Sequence, residues 1–245
     1  MALPGYWILT TNNRLLHFTS ESGQLDLELS SDAVAIASTR DGQGCLALSK
    51  RGEVEAIGTA RTLGDLSAIS LTCPAVDITA TPVGVGYWII DAEGSVFSFG
   101  NAPFLEGIPQ VSTGSARAIR IEAAPDGNGY WIVDERGAVY CFGSAEFHGT
   151  LSDFTDPDSV RVVDFAVTPR GDGYFFLTSD GDLYPAGEAA YLGSPTQWGR
   201  VDAVGLLGRD SGYLVVDSRG AVMVFGDVAN FGSPVGLGLS VRAVA

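Results

Sequence analysis

The chain repeats itself, and the period is the strongest constraint on its fold. A glycine-led segment recurs six times: GYWILTTNNRLLHF from Gly5, GCLALSKRGEVEAIG from Gly44, GYWIIDAEGSVFSFG from Gly86, GYWIVDERGAVYCFG from Gly129, GYFFLTSDGDLYPAG from Gly173 and GYLVVDSRGAVMVFG from Gly212. The leading glycines are separated by 39, 42, 43, 44 and 39 residues, and 38 more lead from Gly212 past the end and back to Gly5. Six repeats thus take up 245 residues without remainder. A unit of this length cannot bury its apolar face alone, so its neighbours must cover it.

Within each unit the spacing is that of β-strands. Eight residues after the leading glycine stands Gly52, Gly94, Gly137, Gly181 or Gly220, with Asn13 in the first copy. Glycine and, less readily, asparagine accept the left-handed conformation of a tight hairpin. Fourteen residues after the leading glycine come Gly58, Gly100, Gly143, Gly187 and Gly226, with Thr19 the exception. An apolar run with small residues, such as AIRIEAAP, precedes each segment, and a short piece such as AEFHGTL follows it. The pattern predicts four strands in about 41 residues and no helix of useful length. The expected fold is all-β: a single domain over 1–245, built as a six-bladed β-propeller with four-stranded blades.

The ends fit the same scheme. SVRAVA at the C-terminus matches the innermost strand of the other copies, and LPGYWIL supplies the strand that follows it. The ring is expected to close on one blade made from both termini, which removes open sheet edges. Small residues (Ala35, Ala80, Ala123, Ala166, Gly205, Ala243) suit crowded strands around the axis. The aromatic pairs Tyr6–Trp7, Tyr87–Trp88, Tyr130–Trp131 and Tyr174–Phe175, with Tyr213, face opposite sides of their sheets and are expected to pack between blades.

Charge narrows the partners. The formal net charge is −15 and Lys50 is the only lysine. Such a surface repels phosphate backbones and anionic lipid, so neither nucleic acid nor membrane insertion is expected. No stretch reaches the roughly 18 apolar residues of a spanning helix. The N-terminus lacks a basic segment and fits the repeat, so no signal peptide is expected, and the chain is read as soluble, cytoplasmic or delivered within an assembly. Cys45, Cys73 and Cys141 form no CxxC pair and no zinc spacing with His17 and His148, so buried thiols are expected and no metal or cofactor.

The chain carries no GxSxG, HExxH, phosphate-binding GxxxxGK[ST] or SxDxGxxW motif. DGNG, from Asp126 to Gly129, and the acidic loop with Asp153, Asp156 and Asp158 lack the oxygen ligands of a calcium cage. Asp77, Asp164, Asp202 and Glu122 lie on inner strands where a channel-mouth hydrolase would place a carboxylate pair. Arg120 and Arg242 at similar depth predict a mixed-charge ring instead.

Two features break the repeat. Arg117, Arg161 and Arg200 each stand twelve residues before a leading glycine, opening inner strands of three consecutive units. Three converging guanidinium groups suit a carboxylate or phosphate. Trp198, in SPTQWGRV, is the only tryptophan outside the repeated position and lies beside Arg200. An exposed indole next to an arginine suits a protein hot spot or a sugar ring. These four are the candidate binding residues.

GYWIIDAEGSVFSFGNAPF and GYWIVDERGAVYCFGSAEF resemble a repeat common in actinobacterial proteins, with consensus near GYWLVASDGGVFAFGDAPFYGS. The resemblance covers nearly the whole chain and is weakest from Gly5 and Gly44. It implies a propeller-like binding or display module, often in secreted or wall-associated proteins, and transfers no catalytic residue. The expected function is therefore non-catalytic: a rigid scaffold that binds a protein partner or takes a place in a larger assembly. The alternatives are a glycan-binding propeller, with a surface or virion attachment role, and a channel-mouth hydrolase.

Overall fold

A computed structural model describes residues 5–20, 25–83, 85–112 and 116–245. They form six antiparallel sheets. The first sheet contains β1 (Gly5–Thr10), β2 (Arg14–Thr19) and β3 (Leu25–Glu28), and β19 (Val241–Val244) pairs with β1 on its inner side. The second holds β4 (Ala33–Ser38), β5 (Gly44–Ser49) and β6 (Val54–Gly58). The third holds β7 (Ala75–Ala80), β8 (Gly86–Asp91) and β9 (Val96–Gly100), the fourth β10 (Ala118–Ala123), β11 (Gly129–Asp134) and β12 (Val139–Gly143). The fifth holds β13 (Val162–Val167), β14 (Gly173–Thr178) and β15 (Leu183–Gly187), the sixth β16 (Ala203–Arg209), β17 (Gly212–Asp217) and β18 (Val222–Gly226). Inner strands neighbour one another in sequence from β4 to β7, β10, β13, β16 and β19, and β19 also lies beside β4.

The turn residues behave as their spacing predicts. Asn13 and Gly52, Gly94, Gly137, Gly181 and Gly220 have φ between 65° and 91°. In three sheets an aspartate closes the same turn. One oxygen of Asp134, for example, accepts the N–H of Arg136 at 2.9 Å and of Ala138 at 3.0 Å. Asp91 and Asp217 do the same, and the hydroxyls of Thr10, Ser49 and Thr178 replace the carboxylate elsewhere. Each hairpin tip is thereby locked.

Between sheets lies the core. Tyr6, Trp7, Tyr87, Trp88, Tyr130, Trp131, Tyr174 and Tyr213 are all buried to 1% exposure or less. Burying these rings with the aliphatic side chains along the sheet-to-sheet seams supplies most of the driving force for stacking the units. Cys45 is buried, and burial pushes its thiol pKa up, whereas Cys73 and Cys141 are only half-buried. The expectation of buried thiols therefore applies fully to Cys45 alone.

The expectation of four strands per unit meets a difference. Only the first sheet has a fourth strand among the described residues. In the others the outer segment runs as irregular chain, and the tyrosine of the following sheet explains why. The Tyr130 hydroxyl accepts the Leu105 N–H (3.1 Å) and donates to the Glu106 carbonyl (2.6 Å). Tyr174 holds His148 and Gly149 in the same way, Tyr213 holds Leu192 and Gly193, and Tyr87 holds Leu63 and Gly64. Tyr6 reaches across to Asn230 and Gly232, near the other end of the chain. The indoles of Trp88 and Trp131 donate to Pro103 and Glu146 from the opposite side. Backbone groups that would form a ladder are satisfied by side chains instead. The second sheet carries Cys45 at the tyrosine position, and the segment it faces, in the first sheet, is the one that pairs as a regular strand, β3.

Candidate functional site

Two places gather groups that do not serve the repeat. One lies beside the hairpin tips. The residue opening each inner strand is stitched to the hairpin of its own sheet: the carbonyls of Arg117, Arg161 and Asp202 accept the N–H of Glu135, Ser179 and Ser218 at 2.8–2.9 Å. Arg161 also spans two sheets. Its guanidinium pairs with the carboxylate of Glu135, while the next residue, Val162, donates its N–H to the Glu135 carbonyl. Arg136, at the hairpin tip, pairs with Asp158 at 2.9 Å. Arg161 and Arg200 line one open cleft with Arg136, Glu135, Asp158 and Asp180.

Of the four predicted site residues, this cleft thus brings together Arg161 and Arg200. Arg117 is exposed but is not among the cleft's lining residues. Trp198 ends a single turn of 3-10 helix (Pro195–Trp198), held to a hairpin by the Thr196 hydroxyl, which donates to Asp182 at 2.7 Å. It is 66% exposed and its ring leans on Phe225, 5.5 Å between centroids. Arg200 is exposed and makes no ion pair among the described residues. Arg136 was not among the predicted residues. Its signal is the arginine just before the turn glycine, repeated at Arg51 and Arg219.

The second place is the mouth formed by the inner strands. Five of these strands carry a one-residue bulge near their start, and β19 has one against β1. Beyond the bulge, equivalent register positions hold Asp77, Arg120 and Asp164 on three consecutive sheets and Ala35, Gly205 and Ala243 on the other three. Arg120 lies 3.1 Å from Asp164, 3.2 Å from Glu122 and 3.5 Å from Asp77. Asp77 also accepts the Ile121 N–H at 2.8 Å and Asp164 the Leu206 N–H at 2.7 Å, so each carboxylate holds a neighbouring sheet.

One guanidinium faces two buried carboxylates and a third, Glu122, that is half-buried, so carboxyl groups outnumber it. Burial pushes the Asp77 pKa up to about 6 and that of Glu122 to about 7, each moderated by Arg120. Asp164 is raised by burial as well. Burial opposes the charge on Arg120, but Asp164, Asp77 and Glu122 together outweigh it and hold the group protonated. Asp202 and Arg242 do not join this cluster: Asp202 is exposed and Arg242 pairs with Asp32 at 2.8 Å. The mixed-charge ring is therefore half a ring, with Glu122 and the partly buried Arg209 lining its mouth. Among the described residues no group of three or more His, Cys, Asp or Glu side chains is placed to hold a metal ion.

No family model matches the chain, and no curated protein matches it. A solved structure does. The crystal structure of the WD40 beta propeller domain of Doa1 superposes with a TM-score of 0.65, covering 98% of this chain and 82% of that one at 8% identity. At that identity the likeness is one of fold. The chain is a β-propeller built on six sheets. No helix of the described residues is long and apolar enough to cross a membrane.

Proposed function

We propose that this propeller is a non-catalytic recognition scaffold that binds a protein partner on its hairpin side, through Trp198, Arg200 and Arg161, with Arg117 at the margin. One observation carries the reading: Trp198 is 66% exposed next to an unpaired arginine, whereas the repeated tryptophans are buried. A large exposed aromatic beside a guanidinium has the composition of an interface anchor. The WD40 likeness supports a recognition role of this kind. Its six sheets are read as blades of a ring closed by β19 and β1, a rigid frame for loops that differ between units. Against a hydrolase stand Asp77 and Asp164, whose oxygens are taken up by backbone N–H groups.

The test pairs capture from native lysate with the double variant Trp198→Ala, Arg200→Ala. Proteins retained by the wild type and lost by the variant are expected, with unfolding free energy within about 1 kcal/mol of wild type, as for exposed positions. Equal retention by both removes this face from consideration. A glycan-binding reading has one observation in its favour: Phe104, Phe147 and Tyr191 are exposed at equivalent outer positions of three sheets. A glycan array separates the two readings.

A further inference from the structure

We infer that β3 is a docking edge for an extended segment of a partner protein, one that alternates apolar and basic side chains and adds a strand to the first sheet. β3 is the only strand among the described residues whose every residue is exposed, and it lies at the end of the sheet order β19, β1, β2, β3. It exists because Cys45 replaces the tyrosine that, in the other sheets, takes up the backbone groups of the outer segment.

The register says which of its groups are free. Leu29 donates its N–H to the Asn13 carbonyl at 3.0 Å. Antiparallel pairs alternate between bonded and non-bonded. Pairs Leu27–Leu15 and Leu25–His17 are therefore the bonded ones, and the N–H and C=O of Asp26 and Glu28 point away from β2. No hydrogen bond occupies them among the described residues. An edge of this kind accepts another strand by main-chain hydrogen bonding, with side chains setting the choice.

The side chains choose a basic partner. Leu25 and Leu27 share one face, next to Leu15 and His17. Asp26 and Glu28 share the other, where Arg14 pairs with Asp26 and Glu28 has no ion pair among the described residues. Lysine or arginine opposite Asp26 and Glu28 gains cross-strand attraction. A second copy of this chain is disfavoured, because antiparallel pairing of two β3 strands sets carboxylate against carboxylate, between molecules each of charge −15.

The experiment uses the full chain and two fluorescent six-residue peptides, one alternating valine and lysine, the other valine and glutamate. The valine–lysine peptide is expected to bind, and the amides of Asp26 and Glu28 to gain protection from hydrogen exchange while those of Leu25 and Leu27 stay unchanged. The double variant D26K/E28K is expected to bind it about tenfold more weakly and to prefer the glutamate peptide. Glu28→Pro, which removes an outward N–H without touching the ladder to β2, is expected to abolish binding of both. Trp198→Ala, Arg200→Ala is expected to leave peptide binding intact, which separates this inference from the hairpin-side reading. The inference is overturned by an absence of binding up to about 1 mM, by equal affinity in the wild type and both β3 variants, or by a wild-type dimer in sedimentation that Glu28→Pro dissolves.

Discussion

Replacing Tyr130 with phenylalanine isolates the clamp between neighbouring sheets. The ring stays, and it is fully buried, so packing changes by a single oxygen. Two hydrogen bonds vanish, from Leu105 N–H at 3.1 Å and to the Glu106 carbonyl at 2.6 Å. Each is worth about 1 kcal/mol net, and a stranded backbone group costs more where water cannot reach it. Both bonds are half-buried, so the expected loss is about 2 kcal/mol. Glu106 has φ of 78°, one of two non-glycine residues in the left-handed region among the described residues, and its release recovers part of that strain. For a chain of this size the loss corresponds to a fall in Tm of about 4–8 °C. Urea unfolding followed by tryptophan fluorescence reads the first quantity, and amide exchange at Leu105 reads the local effect. An unchanged midpoint together with unchanged protection of the Leu105 amide would falsify the clamp.

Other outcomes follow from the same structure. A carboxyl whose pKa is raised on folding binds its proton more tightly when folded, so stability falls as pH climbs from about 4.5 toward the folded value of about 7 for Glu122. Wild type is therefore expected to unfold at lower urea at pH 8 than at pH 5, and Glu122→Gln to recover about 2 kcal/mol at pH 8 with little gain at pH 5; equal pH dependence in both proteins refutes it. Gly137→Ala is expected to cost more than Gly181→Ala, about 3 against 1 kcal/mol, because a Cβ on Gly137 would collide with Leu151 whereas one on Gly181 meets Val201 at 3.2 Å; unfolding midpoints in the reverse order would exclude this. Deleting residues 240–245 removes β19, which pairs with β1 and lies beside β4 and β16, and is expected to cause aggregation or a large drop in Tm; a stable monomeric truncation defeats ring closure.

The repeat made the sheets legible: the spacing of Asn13 and the turn glycines placed the hairpins, and the aromatic residues marked most of the seams. Inner-strand register was not legible, because a bulge shifts it by one residue. Ala80 and Ala123 are small in the sequence but pair with Tyr87 and Tyr130, while the positions after the bulge go to Asp77 and Arg120. The missing fourth strands were hidden for another reason. A tyrosine reads as an apolar ring, and nothing in its own unit shows that its hydroxyl serves the unit before it. At the candidate site, Arg161 and Arg200 share a cleft, but Glu135 and Asp158, which pair with Arg161 and Arg136, stand more than twenty residues from those partners in sequence.

Because the outer segments of the second to fifth sheets are each held by a tyrosine supplied later in the chain, translation imposes an order on assembly. A sheet leaving the ribosome has its hairpin but cannot settle its outer piece until the next unit has emerged. The first unit is the exception at that edge, since β3 bonds to its own β2, yet it waits longest for its inner strand, which is made last. A nascent chain thus carries one loose segment that moves forward with synthesis, and the segment that Tyr6 secures and the strand β19 emerge after all the others.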